Sequence, residues 1–441
     1  VSSRATPLLV ALLAAALLAA GCGGGGGNDR VAGVQALPSS SCQDVEYGGQ
    51  GNPTALIATD LPMQGDSAER SKQQVEAVRL VLDREGWKAG ASRVALQVCD
   101  DSVKSSGEWD ETKCKANAAA YAADPDLIGV IGTYNSGCAE AIIPILNQAP
   151  DGGLAMVSPG NTLVCLTQAS KTCSPDQPGA YYPAGKRNYA RVVPNDAAQG
   201  AGLAEFAQGE KIVKPFILYA AGDPTSKGQA ETFRGAAGKL GLQISGFEPW
   251  DPDASDYAAL MGKVKSSGAD AVLLAGLLDQ NGAQLIKDKV SVLGPNTGPV
   301  RLLAPDGFAQ QSTIDQAGPA SKGMFVSVPG RSPQALTRAG KALVGELEQG
   351  LDGKPVELYA PYAGEAAEVL LNAIEPSPKR ADVIAALFQT RLKNGIVGKL
   401  RITASGDPSD APVTVSVAGD SFATAKEITP PPALVLAARG G

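Results

Sequence analysis

The sequence predicts an α/β protein built from two mostly parallel sheets, each flanked by helices. Three observations point there. Short apolar runs alternate with stretches of helical spacing from residue 54 onward. The rhythm pauses at Pro194 and restarts, which sorts the strand–helix units into two groups. The chain has 441 residues, enough for two or three domains of about 150 each. Such alternation needs crossover helices, and these cover both faces of a parallel sheet.

The elements are expected in this order. Thr54–Thr59 is an apolar strand, and Ala68–Glu85 places Val75, Val78 and Leu82 on one helical face. Val94–Cys99 is a strand, Thr112–Ala122 an Ala-rich helix and Leu127–Gly132 a strand. Glu140–Gln148 is a helix and Leu154–Ser158 a strand. After Pro194 come helix Ala197–Gly209, strand Pro215–Ala220, helix Lys227–Leu240 and strand Leu242–Phe247. Helix Tyr257–Ser267, strand Ala271–Gly276, helix Gly282–Leu293 and strands Val300–Pro305 and Gly323–Val328 follow. Pro333–Gln349, Glu357–Ile374 and Ala381–Lys393 read as helices, and Lys399–Thr403 and Pro412–Ala418 as strands. Pro430-Pro431-Pro432 is expected to end the ordered chain, leaving 430–441 loose.

Composition removes whole classes of function. With 38 Lys+Arg against 45 Asp+Glu the net charge is −7, so no nucleic-acid partner is expected. The chain has no His, which excludes Ser-His-Asp and Cys-His catalysis and His-ligated zinc. No GxSxG, HExxH or carboxylate-rich metal motif is present. Neither an enzyme nor a metal or other cofactor is expected.

Residues 1–21 read as an export signal. Arg4 precedes the apolar run Pro7–Ala20, too short to span a bilayer that needs roughly 20 residues. Leu18-Ala19-Ala20-Gly21-Cys22 resembles a bacterial lipobox, which would make Cys22 the acylated anchor. Gly23–Gly27 then supply a flexible link, and 22–53 as a whole is expected to be anchor and tether. Six further cysteines leave the cytoplasm with it, suggesting three disulfides. Cys99 and Cys114 bracket one polar loop and Cys165 and Cys173 another, which leaves Cys42 for Cys138; fifteen connectivities remain open. No Cys-x-x-Cys occurs, so structural zinc is not expected.

Four strings then carry a resemblance. They are Thr59–Gly65 (TDLPMQG), Val130–Gly137 (VIGTYNSG), Met156–Thr162 (MVSPGNT) and Ala304–Phe308 (APDGF). In that order and spacing, over about residues 54–425, the chain resembles the leucine/isoleucine/valine-binding family of ABC-importer solute-binding proteins. The resemblance implies the two-lobed type I periplasmic-binding-protein fold. It implies lobes of 54–193 plus 330–395 and 194–329 plus 396–429, with crossovers near Pro194, Pro329 and Gly395, and a solute trapped by hinge closure. All four strings lie at strand-to-helix loops, where open parallel sheets bind ligands.

The family pattern also implies a site. An amino acid's carboxylate would meet Ser136, Gly160 and Thr162, groups suited to an anion. Its ammonium would meet Asp306 in a charge-assisted contact. Positions that enclose the side chain carry Asp66, Thr225, Leu277 and Glu357, none aromatic, with Tyr134 and other tyrosines, Tyr181, Tyr182, Tyr359 and Tyr362, as substitutes. The implied partners are a small solute, an amino acid in the family's manner, ABC permease subunits, and the membrane through the lipid anchor. A monomer on the outer face of the cytoplasmic membrane is expected. A sensor subunit for a membrane receptor, or a binder of an amide, urea-like or aromatic-acid solute, is the alternative.

Overall fold

Continuous apolar runs make strands that are buried on both faces, and these runs form the centres of two sheets. The computed structural model describes residues 30–440 except 32, 105 and 106, without the side chains of Arg30, Val31 and Asp66. The expected export signal, Cys22 and the pentaglycine lie outside the described residues.

A small antiparallel pair, β1 (Arg30–Val31) and β2 (Val34–Gln35), precedes the first sheet. That sheet holds β3 (Cys42–Glu46), β4 (Ala55–Leu61), β6 (Ser92–Asp100), β7 (Leu127–Gly132), β8 (Ala155–Ser158) and β9 (Tyr189–Arg191), with β5 (Lys88–Ala89) paired to β6. Its order is β3-β6-β4-β7-β8-β9, parallel except for the edge strand β3. Every residue of β4 and β7 is buried, as two covered faces require. Helices α1 (Ala68–Arg84), α2 (Glu111–Ala123) and α3 (Ser136–Asn147) cover it. Val75, Val78 and Leu82 of α1 are all buried.

The second sheet begins after α4 (Asp196–Gly209). It comprises β10 (Pro215–Ala220), β11 (Gly246–Trp250), β12 (Ala271–Ala275), β13 (Arg301–Ala304) and β14 (Phe325–Pro329), all parallel. Helices α5 (Pro224–Lys239), α6 (Ala258–Ser267), α7 (Gly282–Leu293) and α8 (Gln311–Ala317) connect them. Next, α9 (Arg338–Gln349), α10 (Ala360–Ile374) and α11 (Arg380–Leu387) return to the first sheet, where α10 packs on α1. A short hairpin, β15 (Arg391–Leu392) with β16 (Leu400–Arg401), leads back. The strands β17 (Val413–Ala418) and β18 (Phe422–Ile428) then extend the second sheet antiparallel, giving β11-β10-β12-β13-β14-β17-β18. The chain therefore passes between the sheets three times, at 192–195, 330–337 and 402–412.

Several expectations need correction. The disulfides are Cys42–Cys99, Cys114–Cys138 and Cys165–Cys173, so only the last expected pair forms. Cys42 lies opposite Cys99 in the β3–β6 register, and packing of α2 on α3 brings Cys114 to Cys138. Part of the expected tether is sheet and core: β3 is an edge strand, Val34 and Leu37 are buried, and Leu37 exchanges hydrogen bonds with the Gln97 amide. The tail is not loose. Pro432 starts α12 (Pro432–Ala438), the first-turn position where a missing N–H costs nothing, and Leu434 and Ala438 are buried in the same apolar cluster as α4 and α5.

Strand β11 starts at Gly246 rather than Leu242. Gly241 adopts φ +81° behind α5, and the Leu242 amide donates to the Ala237 carbonyl at 2.9 Å. Leu242 thus closes a Schellman cap and packs back on its own helix. Likewise α9 starts at Arg338, because the Thr337 hydroxyl caps it by accepting from the Gly340 amide.

Candidate functional site

Two loops of the first lobe meet two of the second at the carboxyl ends of their strands. From the first come the start of α3 after β7 and the 158–163 loop after β8. From the second come the start of α5 and the short 3-10 turn Asp306–Phe308 after β13. Between them lies a cavity of about 30 Å³, lined by Tyr134, Ser136, Gly160, Thr162, Thr225, Leu277 and Asp306 among others. That is room for about two waters, so a solute enters only if the lobes part. Seven of the nine positions expected to bind converge here.

One wall is suited to an anion. Ser136 is the first residue of α3, whose N-cap Asn135 makes no side-chain capping bond. The Ser136 hydroxyl accepts from the Thr162 and Leu163 amides, each at 3.2 Å, which leaves its own proton for the cavity. Ser136 therefore does not cap its helix; it ties two loops together and presents a donor. The first-turn amides of α3 and the Thr162 hydroxyl stand beside it. Gly160 is required by closeness, since a Cβ there would lie 2.7 Å from Tyr134 Cδ2.

The other wall is acidic. Asp306 is 5% exposed and accepts from Gln199 at 2.9 Å, Gln229 at 3.2 Å and the Tyr359 hydroxyl at 3.0 Å. Burial pushes its pKa up, and these neutral donors only partly offset that. The charge of Arg70 adds to that offset. Gly307 has no room for a side chain: a Cβ would lie 2.3 Å from the Gly276 carbonyl. That contact sets Leu277 beside Asp306. Nearby, burial and the Asp306 charge raise the Asp196 carboxyl to about 7.

Polar groups without partners face the same cavity. The Tyr134 hydroxyl, Asn135 Oδ1 and Gln229 Oε1 are buried and unbonded. Unsatisfied buried groups cost about 1–3 kcal/mol each, and a polar solute would relieve them.

Glu357 does not reach this cavity. It lines a separate one of about 290 Å³ and accepts from the Gln311 amide at 3.2 Å. Asp66 belongs to the turn before α1, and its side chain lies outside the described residues. Of the tyrosines, Tyr359 reaches Asp306, Tyr182 donates to the Leu166 carbonyl and Tyr362 accepts from the Arg331 amide. Sequence reasoning missed Gln199, Gln229, Asp196 and Arg70. Arg70 is 3% exposed and stacks on the Tyr134 ring at 3.7 Å, behind the cavity wall. None of these four sits in a motif; only the position of Asp196 and Gln199 in the first turn of a helix after a crossover marks them.

Residues 57–417 match the family model described as periplasmic binding protein. The Leu/Ile/Val-binding protein homolog 2 of Brucella abortus (strain 2308) is 24% identical over 377 residues, 84% of this chain and 92% of that protein. The leucine-binding protein LivK of Thermotoga maritima shares the fold with a TM-score of 0.73 at 23% identity, covering 86% of this chain and 99% of its own. A solute-binding protein of R. palustris, solved with benzoate, gives 0.68 at 16% identity, covering 85% and 96%. The two-lobed type I fold implied by the resemblance is the fold of this chain. Matched over most of its length, the chain belongs to the periplasmic binding protein family, whose members bind solutes and are not enzymes.

Proposed function

We propose that the protein captures an α-amino acid between its lobes and delivers it to the permease subunits of an ABC importer. The observation that carries this reading is the opposition of two walls from different lobes. Ser136, Thr162 and the start of α3 suit a carboxylate, while Asp306, buried among neutral donors, suits an ammonium. The names of relatives support the amino-acid class, since they include a Leu/Ile/Val-binding protein and a leucine-binding protein. The lipobox-like string at Cys22 supports a lipid anchor on the outer face of the cytoplasmic membrane. A monomer is part of the same proposal.

A thermal-shift screen of the twenty amino acids, followed by derivatives of the best binder, tests the solute class. The parent amino acid should raise the melting temperature, and its N-acetyl and methyl-ester forms should not. An N-acetyl form that binds as well as its parent would contradict the ammonium contact. It would favour a carboxylic-acid solute, the class of the benzoate bound by the R. palustris protein.

A further inference from the structure

The inner cavity carries more polar groups than the α-carboxylate and α-ammonium of an amino acid can use. Ser136 and Thr162 account for the first and Asp306 for the second. Three further atoms, Tyr134 Oη, Asn135 Oδ1 and Gln229 Oε1, are buried without a hydrogen-bond partner. Their residues line this cavity of about 30 Å³ and not the wide cleft of about 910 Å³ between the lobes. Trp109 and Leu277 line both spaces and so stand where the cavity meets the cleft.

The Gln229 amide nitrogen donates to Asp306 at 3.2 Å, which fixes Oε1 as an acceptor beside the ammonium position. It can take a second N–H of that ammonium. Tyr134 and Asn135 remain, on the loop before Ser136. The Tyr134 ring is held by the Arg70 guanidinium stacked on it at 3.7 Å and by an edge contact with Tyr359. Burial raises the pKa of its hydroxyl, which therefore keeps a proton to donate. Asn135 makes no capping bond to α3, and its Oδ1 repels a carboxylate and calls for a donor. A charged side chain fits this pair poorly. Arg70 behind Tyr134 disfavours a second cation, while the buried Asp306 and Asp196 disfavour an anion. An aliphatic side chain would leave Tyr134 and Asn135 buried and unpaired, and polar sites reject apolar analogues by that cost.

We propose that the solute's side chain is short, polar and uncharged, with a hydroxyl or an amide that bonds to Tyr134 and Asn135 inside the inner cavity. The inference rests on the amino-acid reading above and narrows it to solutes of serine, threonine or asparagine type. A hydroxyl or a primary amide offers both a donor for Asn135 Oδ1 and an acceptor for the Tyr134 proton. The side chain is short because both partners lie in the inner cavity and neither lines the cleft beyond Trp109 and Leu277.

Calorimetry on the full chain with three pairs of similar shape tests this: L-threonine against L-valine, L-serine against L-alanine and L-asparagine against L-leucine. At least one polar member should bind at least about tenfold tighter than its apolar partner. Tyr134→Phe keeps the ring and removes the hydroxyl, so it should narrow that gap. The wild-type pairs keep the test decisive if that variant does not fold. Apolar members that bind as tightly as their partners would overturn the polar side chain and leave the amino-acid reading standing. Binding by another amino acid when none of the six binds would do the same. An unchanged gap in a folded Tyr134→Phe protein would overturn the contact at Tyr134. No binding by any of the twenty amino acids would overturn both readings.

Discussion

Arg191 and Asp407 form an ion pair with a 2.8 Å contact between Nε and Oδ1, both side chains nearly sealed from water. The same guanidinium donates to the carbonyls of Asn161 and Leu163, at 3.0 and 2.9 Å. Those carbonyls flank Thr162. A residue of the third segment between the sheets thus helps fix the loop that forms the anion wall. Burial alone would raise the Asp407 pKa, but the Arg191 charge and the surrounding donors hold it below the usual carboxylate range.

Arg191→Met leaves Asp407 buried without its partner, and such losses cost about 3–5 kcal/mol. Urea unfolding should show that loss. The double variant Arg191→Met/Asp407→Leu should recover a large part of it, because no charge then remains buried. A single-variant cost below about 1 kcal/mol, the range of exposed pairs, would show that the pair is not sealed as described.

Peptide mapping without reduction should recover three cross-linked pairs, Cys42 with Cys99, Cys114 with Cys138 and Cys165 with Cys173. A Cys99–Cys114 peptide as the main product would contradict the β3–β6 register, since Cys99 would then be unavailable to Cys42.

Glu365 on α10 is fully buried. One of its oxygens accepts from the Val397 amide at 2.9 Å, and the other has no partner. Burial raises its pKa from 4.5 to about 8. Between those values the folded chain keeps a proton that the unfolded chain has released, so this group makes stability fall as pH rises through the window. Glu365→Gln cannot ionise. Its urea midpoint should gain on wild type as pH rises from about 4.5 to about 8 and then hold a constant lead. A difference independent of pH would contradict the shift.

Metabolic labelling with a palmitate analogue should mark the wild-type protein and not Cys22→Ser. Equal labelling of both would remove the lipid anchor from the account.

Much of the fold is legible because burial on two faces demands apolar runs. β4, β7 and β12 announce themselves in this way, and α1 does so by the spacing of Val75, Val78 and Leu82. Elements set by long-range contact are not legible. β3 is a largely exposed edge strand with no alternating pattern, recognisable only once β6 lies beside it. The Cys114–Cys138 bridge depends on how α2 packs on α3, and no local spacing encodes that. The site divides in the same manner. Ser136, Thr162 and Asp306 stand at loop positions marked by family strings, whereas Gln199, Gln229 and Arg70 are polar residues on helices that become part of the site only when the lobes meet.

The most direct test is calorimetry on Asp306→Asn and Ser136→Ala with the amino acid that stabilises the wild type best, folding checked by melting. Removing one partner of a desolvated charge pair costs about 2–5 kcal/mol, so Asp306→Asn should lose roughly 30- to 4000-fold in affinity. Loss of the Ser136 hydroxyl should cost less, about 1.5–3 kcal/mol. A folded Asp306→Asn protein that binds the amino acid with undiminished affinity would contradict the account, because the ammonium would then be held elsewhere.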